Sequence, residues 1–256
     1  MSTGARGLSR DAIKYIAIIA MTFNHIAFAL LKEGTLLFEI FRDIGSFTAI
    51  TMCYYLVEGY QRTSSRKAYA LRLLVFALLS QIPYYKAFGF QQLNVMFTLL
   101  ICFGILYVRE HEQDPTLKPL KIALLIGASA FCDWAVILPA ETLLFASAAG
   151  DKKKTAAAYA KIIVVYFFIM LAQELQARAA PGMPIADASA ATYFAAALHS
   201  LAYVIGMALS GVVVLYLSND ERPRRYRKWN KWFFYVYYPA HLAVIVLVKY
   251  MMLRGA

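Results

Sequence analysis

The chain predicts an all-α polytopic membrane protein of about nine transmembrane helices, N-terminus cytoplasmic and C-terminus outside. Three observations carry this. First, of 256 residues 61% are hydrophobic and only 16% charged, where a soluble domain carries about 25% charge. Second, apolar runs near twenty residues recur along the whole length, and a run of that length crosses a bilayer as a helix. These runs are continuous rather than alternating. In lipid the backbone must satisfy its own hydrogen bonds, so they read as helices and not as a barrel. Third, basic residues fall in alternate loops.

In order, the spans are roughly 12–31, 44–60, 69–84, 93–108, 119–132, 136–149, 157–176, 193–217 and 232–252. The opening MSTGARGLSRDAIKY resembles a signal peptide n-region. The apolar run that follows is too long and lacks a small-residue cleavage site, so it reads as a retained first helix. The fifth and sixth spans are short, and Asp133-Trp134 with Pro139 separates them. They leave a broken helix or a re-entrant pair open as alternatives. With the N-terminus inside, the inner side collects Arg6, Arg10 and Lys14, then the groups around Arg62–Arg72, Arg109–Lys121 and Lys152–Lys161. The last inner group is Arg222, Arg224, Arg225, Arg227, Lys228 and Lys231, which brings the inner total to twenty basic residues against six outside. The +11 net charge is largely this asymmetry. It is compatible with anionic lipid contact or an anionic cytosolic ligand and is weak evidence for nucleic acid. Residues 1–256 form a single integral-membrane domain, whose longest loop lies near 177–192. Cys53, Cys102 and Cys132 are isolated in apolar surroundings and imply neither a disulfide framework nor a zinc site.

Polar residues inside the spans carry the functional signal, because ionisable groups there are costly and face a bundle interior or a wet cavity. Asn24-His25 lies deep in the first span, and Thr22 shares a helix face with His25. A neutral imidazole takes a proton from a hydroxyl or amine, with Asn24 to orient it; a structural interhelical hydrogen bond is the plainer account. The last span opens WNKWFFYVYYPAHL. Lys231, Phe234 or Tyr235, Tyr238 and His241 make a stripe there, and Pro239 frees the Tyr235 carbonyl and is expected to kink the helix. The aromatics match an interfacial belt, but His241 lies deeper. His199 reads as structural and His111 as solvated. Glu58 and Arg72 are candidates to pair, or Arg72 to bind phosphate; snorkelling explains Arg72 equally. Asn94 and Thr98 open the fourth span, and Asp133 and Glu141 flank the weak break; all four read as caps or packing contacts. No GxSxG, P-loop, HExxH, CxxC or dinucleotide fingerprint occurs, so an intramembrane His with Asn and without a metal set points to acyl or proton transfer.

The order of short motifs resembles the TraX family of membrane proteins, whose founding activity is N-acetylation of conjugative pilin. The matching elements are MTFNHIA at 21–27, FRDIGSF at 41–47, LVEGYQRT at 56–63, YALRLLVFALLSQIP at 69–83 and LNVMFTLL at 93–100. Asp133-Trp134 and KWFFYVYYPAHL at 231–242 complete the series. Two departures stand out. The family usually carries Asp where this chain has Asn24. It also carries Gly-Arg with a following Phe-Pro pair where this chain has Gly45-Ser46-Phe47-Thr48-Ala49-Ile50.

The resemblance implies an acetyltransferase of a bacterial cytoplasmic membrane with acetyl-CoA as donor and no metal. In it His25 is the general base, Asn24 orients, and Tyr235 and His241 complete the cavity. Arg62, Arg66 and Arg72, with Glu58 and Asn94, form the donor-binding region. The acceptor is a protein, glycan or lipid amine or hydroxyl. Two other readings stand beside it. One is a small transporter using His25 and His241 as a proton relay; the other is a non-catalytic membrane assembly factor.

Overall fold

A computed structural model describes residues 7–89, 91–179, 188–219 and 227–255. Arg6, Arg222, Arg224, Arg225 and residues 180–187 of the 177–192 loop lie outside them. The described residues form helices and turns with no strand. The helices are α1 (Arg10–Leu30), α2 (Leu36–Arg62), α3 (Arg66–Phe88), α4 (Val95–His111) and α5 (Leu117–Ala128). They continue with α6 (Ile137–Ala148), α7 (Lys152–Arg178), α8 (Ala190–Val212) and α9 (Arg227–Gly255). Five stretches, Arg10–Leu30, Arg66–Phe88, Lys152–Arg178, Ala190–Leu217 and Trp229–Arg254, are long and apolar enough to cross a membrane.

Local chemistry fixes the starts. The side chains of Ser9, Thr35, Ser65, Asn94, Asp151 and Ser189 each accept a hydrogen bond from a first-turn N–H, of α1, α2, α3, α4, α7 and α8 in turn. These caps satisfy donors that the helix leaves open. α3 continues through Pro83 to Phe88, past its expected end, and closes on Gly89 at φ 73°, a left-handed cap that favours glycine.

Contacts at the two ends show that successive helices run antiparallel. Lys121 of α5 meets Glu112 just after α4. Leu93, just before α4, exchanges backbone bonds with the turn after α5, from its N–H to Phe131 O at 2.9 Å and to its O from Asp133 N at 2.7 Å. Leu8, just before α1, donates to the carbonyl of Leu217, in the helical stretch that continues α8, at 2.7 Å, and Lys249 in α9 reaches Ala87 O in α3 at 2.7 Å. α1, α3, α5, α7 and α9 therefore start at one end of the bundle, here called the basic end because Arg10, Arg62, Arg66 and Arg109 lie there.

α5 and α6 are separate helices of 12 residues each, about 18 Å long at 1.5 Å per residue and shorter than a bilayer core. The turn between them carries two non-glycine residues at positive φ, Trp134 at 58° and Val136 at 61°. Such backbone is unfavourable and persists where surroundings over-determine it. Here Leu93 holds one strand of the turn, Thr98 Oγ1 donates to Asp133 O at 2.5 Å, and Val136 N donates to Ser129 Oγ at 2.9 Å.

α2 is the central helix and packs on α1, α4, α6 and α8. Small residues permit this. A Cβ on Gly45 would stand 2.3 Å from Asn24 Cβ, and one on Gly206 would stand 2.2 Å from Ser46 Oγ. At these crossings buried hydroxyls tie the helices. Thr48 Oγ1 donates to Ala17 O at 2.7 Å, Ser46 Oγ to Tyr203 O at 2.6 Å, and Thr51 and Ser210 hydroxyls meet at 2.7 Å. Small-residue contacts and interhelical hydrogen bonds of this kind hold helices together in lipid.

Candidate functional site

α1 and α9 are joined by a ladder of polar contacts. The Tyr15 hydroxyl donates to Asn230 Oδ1 at 2.9 Å, and Thr22 and Tyr237 hydroxyls meet at 2.6 Å. His25 Nδ1 lies 2.7 Å from His241 Nε2. Residues 15, 22 and 25 share one face of α1, and the near-constant offset to 230, 237 and 241 requires parallel helices. The two imidazole planes are nearly parallel, 10° apart, with centroids separated by 5.0 Å. Both are buried, at 9% and 7% exposure.

The partners assign the protons. His241 Nδ1 lies 2.8 Å from the Tyr237 carbonyl, which can only accept. In the neutral pair His241 therefore carries its proton on Nδ1 and accepts at Nε2. His25 must donate from Nδ1, and its lone pair is left on Nε2. No hydrogen bond occupies His25 Nε2 among the described residues. The tautomer and ring plane of His25 are thus set by a second residue.

His25 lines a cavity of about 430 Å³ at the end of the bundle opposite the basic end. Its wall also includes Asn24, Arg42, Tyr84, Phe88, Trp134 and Tyr203, with carboxyl groups from Glu33, Asp133 and Glu174. Arg42 is 15% exposed and holds its neighbours: Nη1 meets Glu39 at 2.8 Å and Glu174 at 3.5 Å, and Nη2 meets Asp43 at 3.0 Å. Asn24 packs on Gly45, and its Nδ2 donates to the Arg42 carbonyl at 3.3 Å. An Asp carboxylate at this position could not make that bond.

Three expected site residues are placed elsewhere. Tyr235 does not contact the histidines; it stacks on Phe76 at 5.3 Å, with the Arg72 guanidinium 5.7 Å from its ring. The helical period explains this. Six residues separate Tyr235 from His241, about 120° round the helix at 3.6 residues per turn, whereas Tyr237 and Tyr238 flank it. Glu58 does not pair with Arg72 but lies between Arg10 at 2.5 Å and Arg62 at 2.9 Å, because Arg62 is one turn away and α1 packs alongside. Asn94 caps α4, donating to Ala77 O at 2.9 Å and Gln81 Oε1 at 2.8 Å. The strand of sequence before α4 puts it at the end away from Arg62. Arg66 bridges to Glu110 at 2.8 Å.

Sequence reading also missed several groups. Arg42, Glu174, Tyr84 and Tyr203 line the cavity, and nothing in their sequence surroundings singles them out. Glu141, expected as a cap or packing contact at the break, lies one turn inside α6 at 2% exposure, and neither carboxyl oxygen has a hydrogen-bond partner among the described residues. His111 stacks on Tyr107 at 4.2 Å, and His199 Nδ1 is 3.9 Å from Glu39. Among the described residues no cluster of three His, Cys, Asp or Glu is suited to a metal.

Comparison with known proteins places this arrangement. No solved structure matches the chain. Over 146 residues it is 33% identical to a protein of Dichelobacter nodosus titled "Probable fimbrial assembly protein FimC, serogroup H1". The match covers 52% of the chain and 60% of that relative's length. The TraX protein family model matches residues 9–249, a span that holds the histidine pair, the Arg42 network and both bundle ends. The chain is therefore a member of the TraX family, an all-helical protein with several membrane-spanning helices.

Proposed function

We propose that the protein is an acetyltransferase of a bacterial cytoplasmic membrane that moves an acetyl group from acetyl-CoA to an amine or hydroxyl acceptor. The observation that supports it is the histidine pair. His25 offers a lone pair at the wall of a cavity, with its tautomer fixed by His241. His25 Nε2 takes the proton of the acceptor N–H or O–H as that atom attacks the thioester carbonyl. The carbon–sulfur bond then breaks, and the departing thiolate receives the same proton. His25 returns to its neutral form and the products are the acetylated acceptor and free thiol. Asn24 Nδ2 is the candidate donor to the developing oxyanion. The family and the fimbrial relative support a pilin-like protein as acceptor. The basic end is assigned to the cytoplasm by the positive-inside rule, which gives the donor its side of entry.

The test is thiol release from acetyl-CoA by purified protein with a pilin-like peptide, compared with His25→Gln. Turnover in the parent alone supports the reading. Equal turnover in both removes His25 from the chemistry. Neither turnover nor acetyl-CoA binding in a folded sample returns the protein to a non-catalytic assembly role.

A further inference from the structure

A second cavity of about 370 Å³ opens at the basic end, lined by Val57, Tyr60, Gln61, Arg66, Leu106, Arg109, Glu110 and Ala146. It shares no residue with the histidine cavity. Two guanidinium groups face one carboxylate here. The Tyr60 hydroxyl, at 2.6 Å from Glu110 Oε2, holds that carboxyl below its usual range, helped by the Arg66 charge. Glu110 is thus ionised and offsets Arg66, leaving Arg109 as net positive charge. Both arginines also keep buried donors without acceptors among the described residues, Arg66 Nε and Arg109 Nη1. A buried N–H left unbonded is costly, and guanidinium groups in a pocket match phosphate oxygens. Arg66 is held in place by its bridge to Glu110 and by stacking 4.8 Å over the Tyr60 ring.

We infer that the Arg66–Arg109 cavity is a phosphate-binding site that takes the phosphate-bearing end of a soluble donor or an anionic lipid headgroup. The soluble source rests on the acetyl-CoA reading. The charge of the histidine cavity agrees with it, since three carboxyl groups there face one guanidinium and repel phosphate. Arg62 and Arg72 are not part of the site. Arg62 is committed to Glu58, and Arg72 lies against the Tyr69 and Tyr235 rings.

The experiment measures binding of pyrophosphate and of coenzyme A to full-length protein in zwitterionic nanodiscs, for the parent, Arg109→Gln, Arg109→Lys and Arg62→Gln. Arg109→Gln is expected to weaken pyrophosphate roughly ten- to a hundredfold, as loss of charge-assisted hydrogen bonds does. Arg109→Lys should recover part of that and Arg62→Gln should bind as the parent does. Equal binding by all four proteins, or equal weakening by Arg109→Gln and Arg62→Gln, overturns the site. Arg109-dependent pyrophosphate binding without coenzyme A binding keeps the site and rejects the acetyl-CoA reading. Coenzyme A binding that ignores Arg109 does the reverse. Competition of pyrophosphate by phosphatidylglycerol nanodiscs supports the site with lipid as its occupant.

Discussion

The two cavities of this bundle are built on opposite electrostatic plans. At one end His25, backed by His241, faces a wall with three carboxyl groups, and the single arginine there, Arg42, is engaged by Glu174 of that wall and by Glu39 and Asp43 beside it. At the other, two arginines outnumber one carboxylate and keep donors in reserve. On the function proposed above, the contrast separates two roles: a proton-transfer base calls for surroundings that do not add competing cations, and a phosphate calls for guanidinium groups that are not already consumed. The parallel packing of α1 and α9 sets the first; the crossing of α2, α3 and α4 sets the second.

The largest test of that contrast is chemical. His25→Gln keeps a polar side chain but removes the base, and transfer is expected to fall about 10²- to 10⁴-fold while pyrophosphate binding at the basic end stays within twofold or so of the parent. Loss of both together would merge the two cavities into one functional unit. Next comes a pair of arginines. Arg42→Gln leaves Glu39, Asp43 and Glu174 without their shared cation in a site only 15% exposed at the arginine, and should cost about 3 kcal/mol, read as a lower midpoint of thermal unfolding. Arg62→Gln removes a side chain that is 51% exposed and leaves Glu58 paired with Arg10, and should cost under about 1 kcal/mol. Equal costs would show that the ends do not differ in the way the burial indicates.

How much of this the sequence announces differs by element. The helices are legible because lipid forces continuous apolar runs: each of the nine expected apolar runs overlaps an α-helix among the described residues, and five stretches are long and apolar enough to cross a membrane. His25 and His241 are legible because a titratable ring deep in a span has few ordinary explanations. Their direct contact is not, since 216 positions separate them and only packing of α1 on α9 brings them together. Tyr235 is hard to phase because the first half of the last helix is dense in aromatics, and choosing between 235, 237 and 238 needs the phase of the helix relative to α1. Arg109 and Arg42 are hidden for another reason. In a membrane protein the orienting charges and the ligand-binding charges are the same residue types at the same depth, and only burial and partners separate them.

A further test probes the close approach that seats the histidine cavity. Gly45→Ala adds a Cβ 2.3 Å from Asn24 Cβ, which must push α1 from α2 and should cost about 1–3 kcal/mol, with transfer reduced and the basic-end cavity unaffected. Asn24→Gly in the same chain removes the obstruction, so the double variant should regain much of the lost thermal midpoint. No recovery would mean that the crossing tolerates the methyl and that the damage arises elsewhere.

The smallest expected effect belongs to the basic end and depends on pH. Glu110 is held below its ordinary value, first by the Tyr60 hydroxyl and then by the Arg66 charge. A carboxyl depressed in the folded state contributes stability above its unfolded value, and that contribution is lost as pH falls through the folded value. Tyr60→Phe deletes the hydroxyl, so it should lower the thermal midpoint slightly at neutral pH, and the difference from the parent should shrink once the medium is acid enough to protonate Glu110. Glu110 is 45% exposed, so solvent and salt screen the interaction and the shift should diminish further in high salt. A difference that grows on acidification would mean that Tyr60 supports the cavity through its ring, against Phe103 and Arg66, in a way that acid unmasks, and not through the carboxylate it bonds.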